Sequence, residues 1–151
     1  MAESQTAKSV LFVCTFNSIR SPMAEAILRD MSARKGLGLQ VCSAGVQAKL
    51  TDGYAIASMR EIGLDMSKHE GQTLDEVDLD QVDLIISLSD PARMFLMHFA
   101  AGRDVTLEHW ATQEPQLGDE ASREEQRAHL NRVRDGLVLK IKERFVATSP
   151  A

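Results

Sequence analysis

Apolar positions along the chain alternate between two periods. Ser9–Cys14 (SVLFVC) is a short, continuous, β-branched run whose length and composition suit a strand buried on both faces. After a polar loop, Pro22 fits the first turn of a helix, where a missing N–H would have no partner anyway. Met23, Ala24, Ala26, Ile27, Leu28 and Met31 then recur at helical spacing, and Gly36 supplies a stop. Leu39–Ser43 (LQVCS) reads as a second strand, ended by Ala44-Gly45, and a second helix is expected from about Asp52 to Ile62, before Gly63. Leu74–Val77 suits a single helical turn. Val82–Leu88 (VDLIISL) reads as a central strand, Pro91–Ala100 as a helix before Gly102, and Val105–Trp110 as a fourth strand. Beyond a polar stretch containing Glu114-Pro115, a last helix is expected over Ser122–Phe145. Leu130, Val133, Leu137, Leu139, Ile141 and Phe145 form its apolar side.

The order β-α-β-α-β-α-β-α implies an α/β fold: a four-stranded parallel sheet between two helical layers, an α-β-α sandwich. No repeat, low-complexity segment or Gly/Ser-rich linker interrupts it. Residues 1–151 are therefore read as one domain, with 1–7 as a flexible lead-in. In such folds ligands bind beyond the carboxyl ends of the strands, so the loop after the first strand is the first place to look for chemistry.

Composition narrows the function classes. The net charge of −5 argues against nonspecific binding to nucleic acid or to an anionic membrane. Residues 1–8 lack the apolar core of a signal peptide, and no apolar run approaches the ~20 residues of a membrane span, so a cytoplasmic protein is expected. The two cysteines, Cys14 and Cys42, are too few for a disulfide framework and lack metal-ligand spacing. No metal or cofactor is implied.

The loop itself is Cys14-Thr15-Phe16-Asn17-Ser18-Ile19-Arg20, followed by Ser21-Pro22. A strand, a tight loop and a helix start in immediate succession make a concave nest of backbone N–H groups for an anion, reinforced by the helix dipole. Arg20 can offer a planar fork of donors to two anion oxygens. A thiol on the floor of such a cup is favoured as the thiolate by the surrounding dipoles and the guanidinium, and a thiolate is a capable nucleophile.

The segment VLFVCTFNSIRSPMAEAIL resembles the signature of low-molecular-weight protein tyrosine phosphatases and of their relatives, the thioredoxin-coupled arsenate reductases. The resemblance extends through Ser43-Ala44-Gly45, Gly63–Leu74 (GLDMSKHEGQTL), Asp83–Asp90 (DLIISLSD) and Arg132–Phe145. It implies that Cys14 forms a phospho-cysteine intermediate and that Arg20 binds the phosphoryl oxygens within a cup running from Cys14 through Thr15, Phe16, Asn17, Ser18 and Ile19. It implies that Ser21 hydrogen-bonds the sulfur, and that Asn17, Ser21, Ser43 and His69 form the supporting network. The family's general acid belongs to an Asp-Pro pair; here Glu114-Pro115 matches it, with Asp119 as the fallback.

The chain also departs from that pattern. Phe16 stands where the phosphatases have glycine; its ring is expected to pack outside the cup, the alternative being a narrowed mouth. Ile19 replaces a second cysteine found in many relatives. The tyrosines that follow the Asp-Pro pair are absent, leaving Phe16 or Trp110 as a possible aromatic wall, with Trp110 expected in the core. Ser89 stands where the reductases place their first relay cysteine, and Cys42 is expected to be an inert core thiol. Three readings remain open. One is a phosphatase acting on a phosphorylated protein, phosphotyrosine by resemblance, or on a small phosphomonoester. The second is an arsenate reductase using Cys14 and an external thiol, to which the stretch from Glu114 onward is somewhat closer. The third is a non-catalytic relative that binds a phosphate or arsenate oxyanion.

Overall fold

The structure, a computed structural model, describes residues 8–146; the expected flexible lead-in at 1–7 lies outside them. Four parallel strands form one sheet in the order β2-β1-β3-β4: β1 Ser9–Cys14, β2 Gln40–Gly45, β3 Leu84–Ser87 and β4 Thr106–His109. The helices are α1 Arg20–Lys35, α2 Gly53–Arg60, α3 Asp90–Phe99 and α4 Arg123–Phe145, with short 3₁₀ turns at Leu74–Glu76 and Leu79–Gln81. This is the expected three-layer sandwich.

Alternation along β1 divides the core. Val10, Phe12 and Cys14 face the layer of α1, α2 and α4, where Met23, Leu28, Met59, Leu130 and Ile141 close over them. Leu11 and Val13 face α3 and the 3₁₀ turns through Leu74, Leu79, Val82 and Leu96. Because both faces of β1 are covered, the strand is apolar and buried at every position from Val10 to Cys14. Trp110 lies in the first of these clusters, as expected, edge-on to Phe12 with ring centroids 5.9 Å apart. Among the described residues no helix is long and apolar enough to cross a membrane.

Boundaries follow local chemistry. Gly36 takes a left-handed φ of 66° and ends α1 by donating its N–H to Ser32 O. The Ser122 side chain and Glu125 form a reciprocal capping box that starts α4. The third strand is shorter than the apolar run, because Val82 closes a 3₁₀ turn instead of joining the ladder. One assignment to the apolar side of α4 is corrected: Leu139 is 59% exposed, since it falls off the stripe formed by Leu130, Val133, Leu137 and Ile141.

The sheet order reverses direction between β1 and β3, so the carboxyl ends of these two strands open a crevice. Cys14 ends one strand, and Leu88 follows the other.

Candidate active site

At Cys14 the chain leaves β1 and wraps into α1 over a loop whose carbonyls point outward. Cys14 O accepts Val46 N–H at 3.1 Å, Thr15 O accepts Gln47 N–H at 2.9 Å, Phe16 O accepts Lys49 N–H at 3.0 Å and Ser18 O accepts Asp52 N–H at 3.1 Å. Turning the carbonyls out leaves the amides facing the other way. Among the described residues, none of the backbone N–H groups from Thr15 to Arg20 donates to a protein acceptor. Helix α1 adds to this: its N-cap is Ile19, with no side-chain cap. In its first turn Ser21 N–H donates to Cys14 Sγ, Pro22 has no N–H and Met23 N–H donates to Ile19 O, so the Arg20 N–H is the donor left for a ligand or water among the described residues.

Close approach makes the wrap possible. A Cβ at Gly45 would lie 2.2 Å from Gln47 O and 2.8 Å from Asn17 N, so only glycine fits. Asn17 holds the sharpest bend, at φ 51°, the one positive-φ residue other than glycine among those described. Its buried side chain is saturated. Nδ2 donates to Ser21 Oγ (2.8 Å) and Ser43 Oγ (2.9 Å), while Oδ1 accepts from Gln72 N–H (2.9 Å) and pairs with His69 Nε2 (3.1 Å). The expected supporting group of Asn17, Ser21, Ser43 and His69 is thus brought together.

Two members of this network carried no local signal in the sequence. Buried Glu25 accepts Ser43 Oγ–H at 2.5 Å, lies 3.7 Å from His69 Nδ1 and pairs with Arg29 at 2.7 Å. Gln72 ties back to Ser43 O through Nε2 at 2.9 Å. Glu25 sits one helical turn beyond Ser21, on the face of α1 turned toward β2; that spacing was the only available clue.

Cys14 is buried, with 3% of the residue exposed. Ser21 Oγ lies 2.9 Å from it, and Ser21 N–H donates to it at 3.4 Å. Arg20 is also buried. Its Nη1 reaches Leu88 O (3.3 Å), Thr112 Oγ1 (3.1 Å) and Gln113 O (3.4 Å), while Nε and Nη2 make no hydrogen bond within the described residues.

A cavity of about 480 Å³ opens above this cup, lined on its far side by His109, Thr112, Glu114 and Gln116. Glu114, the expected acid, is exposed on this wall. Its segment is clamped to α4, because His129 Nε2 pairs with Glu114 O at 2.6 Å and Gln126 Nε2 donates to Pro115 O at 2.9 Å. Asp119, the fallback, is not among the lining residues. His109 was not singled out from sequence. Its Nδ1 lies 2.6 Å from Ser87 Oγ and its Nε2 3.5 Å from Asp90 Oδ1.

The departures also find places. Phe16 is half-buried and belongs to the cavity lining, and the exposed Lys49 Nζ lies 3.9 Å from its ring centroid. Ile19 is buried in the core. Ser89 lines the cavity, caps α3 by accepting Ala92 N–H, and accepts Thr15 Oγ1–H at 2.9 Å. Cys42 is half-buried in the cluster on the opposite side of the sheet from Cys14. Burial pushes its thiol up from the ordinary cysteine range, and the Glu25 carboxylate adds to this against the opposing Arg29. Among the described residues, no three His, Cys, Asp or Glu side chains are grouped to hold a metal ion.

Comparison with known proteins agrees with this geometry. Residues 9–146 match the family model described as low molecular weight phosphotyrosine protein phosphatase. An arsenate reductase from Bacillus licheniformis is 37% identical over 147 residues, covering 93% of this chain and 96% of that protein. Among solved structures, a low molecular weight protein tyrosine phosphatase from T. tengcongensis superposes with a TM-score of 0.73 at 26% identity, over 91% of this chain and 99% of that one. An arsenate reductase in a phosphate-binding state superposes with a TM-score of 0.59 at 28% identity, over 89% of this chain and 98% of that one.

Proposed function

The chain belongs to the low molecular weight phosphotyrosine protein phosphatase family, and from that membership we propose that it hydrolyses a phosphomonoester through a phospho-cysteine on Cys14. The observation that carries the proposal is the cup: six successive N–H groups, Thr15 to Arg20, without acceptors among the described residues, arranged beside a buried cysteine. They would receive the equatorial oxygens of a phosphoryl group together with the free Nε and Nη2 donors of Arg20. The Cys14 sulfur attacks phosphorus as the ester oxygen leaves. Ser21, donating to the sulfur, supports it first as nucleophile and then as leaving group. Glu114, on the cavity wall, protonates the departing oxygen and then accepts a proton from the water that attacks the phospho-cysteine. No metal or cofactor enters these steps.

The substrate in this reading is a phosphorylated protein or a small phosphomonoester. The half-buried Phe16 among the lining residues supports an aryl ester such as phosphotyrosine. A cytoplasmic setting belongs to the same proposal, because the free thiol of Cys14 must stay reduced to act.

A second reading is favoured by the 37% identical relative named arsenate reductase. Arsenate fits the same cup. In this reading Cys14 displaces hydroxide from arsenic, and an external thiol then attacks the Cys14 sulfur. The S–As electron pair passes to arsenic, releasing arsenite and leaving a mixed disulfide. An outside thiol would be required, since Ser89 replaces a relay cysteine on the cavity wall and Cys42 faces the other side of the sheet. Parallel assays separate the two readings. Aryl phosphate hydrolysis without arsenite production supports the first; thiol-dependent arsenite production without hydrolysis overturns it. Phosphate binding with neither activity would leave the anion-binding relative.

A further inference from the structure

Arg20 does not stand alone at the mouth of the cup. The Leu88 carbonyl, just past β3, accepts the Thr112 hydroxyl at 2.7 Å and Arg20 Nη1 at 3.3 Å. The same Nη1 reaches Thr112 Oγ1 at 3.1 Å and Gln113 O at 3.4 Å. Thr112 has one hydroxyl proton, and it is committed to Leu88 O. Its lone pairs are therefore left to accept from the guanidinium, so the polarity of this contact is fixed. With Nη1 held on the Leu88–Thr112–Gln113 side, Nε and Nη2 form the edge still open to a ligand.

The contact has a second consequence. Thr112 and Gln113 immediately precede Glu114, and α4 clamps the other side of the segment through His129 and Gln126. Glu114 therefore sits between two anchors, one of which is the guanidinium that would hold the anion.

We propose that Thr112 is a positioning residue, which aims the Arg20 fork at the oxyanion and couples that fork to the position of Glu114. Its kinetic consequences rest on the phosphatase reading; its effect on oxyanion affinity does not. Nothing local in the sequence marks this threonine, because its partners lie 24 and 92 residues away along the chain.

The test uses Thr112→Val, which keeps the shape and removes the hydroxyl, with Thr112→Ser as the conservative rescue. Inorganic phosphate binding is measured by calorimetry, and turnover is measured across aryl phosphates of rising leaving-group pKa. Losing a hydrogen bond to a charged group predicts phosphate binding weakened about tenfold in Thr112→Val. Turnover should fall more steeply for poor leaving groups than for good ones, and Thr112→Ser should recover both properties. A role confined to stability would lower the unfolding midpoint and leave the leaving-group dependence unchanged. Wild-type phosphate affinity in Thr112→Val overturns the proposal, as does failure of serine to rescue. Should the valine variant fail to fold, Thr112→Ala is read by the same two assays. A wild-type protein that binds phosphate but hydrolyses no aryl ester sinks the phosphatase reading, while the binding arm still decides the role of Thr112.

Discussion

Replacing Asn17 with alanine is predicted to loosen both the fold and the cup. The side chain is fully buried and makes four hydrogen bonds, to Ser21, Ser43, His69 and the Gln72 amide. Each neutral bond contributes about 1 kcal/mol net, and its loss strands a polar group inside the protein. Alanine at a φ of 51° adds a further cost of about 1 kcal/mol, because its Cβ crowds the following carbonyl where asparagine is better tolerated. A water entering the vacated space would restore part of the bonding, so the net loss should be about 3–5 kcal/mol. Domains of this kind are stable by roughly 5–15 kcal/mol, so the variant should still fold. Urea unfolding can be followed by the single tryptophan, Trp110, which packs against Phe12. Asn17→Gly is the control: it loses the same hydrogen bonds but tolerates the left-handed bend, and should be more stable than Asn17→Ala by about 1 kcal/mol. Both variants should also lose most turnover, since Ser21 loses the donor that orients its hydroxyl against the sulfur. A loss below about 1 kcal/mol, with wild-type turnover, would refute this reasoning.

Further outcomes follow from the same geometry. Gly45→Ala should cut phosphate affinity at least as severely as Asn17→Ala, because the new Cβ meets Gln47 O and Asn17 N inside contact distance; equilibrium dialysis with phosphate checks it. Glu114→Gln should slow aryl phosphates with poor leaving groups about 10²–10³-fold and those with good ones far less; a uniform loss would remove Glu114 from proton transfer. In Cys14→Ser, Cys42 should react with iodoacetamide more slowly than a free thiol at neutral pH, because burial and Glu25 hold it protonated. The same raised value fixes a sign. The unfolded thiol releases its proton at about pH 8.5 while the folded one still holds it, so stability should fall as pH rises above that point. Cys42→Ala should remove this part of the alkaline loss, read as the difference in melting temperature between the two proteins.

The strands and helices were legible because their apolar periods are local. Ser9–Cys14 forms the strand its composition indicated, and Gly36 ends α1 as the glycine suggested. Pro22 is less exact as a marker. The helix begins at Arg20, which leaves the Arg20 amide without a protein acceptor among the described residues and puts the Ser21 amide on the Cys14 sulfur. The site divides the same way. The Cys14–Arg20 cup lies in one stretch of chain and could be read directly. Gln72 and Thr112 act through partners brought close only by the sheet crossover and the long loops, so no spacing announced them, and Glu25 offered only its helical spacing from Ser21.

The central claim, that Cys14 carries the phosphoryl group, is tested most directly by stopping aryl phosphate turnover in a neutral denaturing quench during the burst and mapping the modified peptide by mass spectrometry. The account predicts a phosphoryl group on Cys14, formed at the rate of the burst and absent in Cys14→Ala together with hydrolysis. Full turnover with no modification of Cys14, or unchanged hydrolysis by Cys14→Ala, would contradict it.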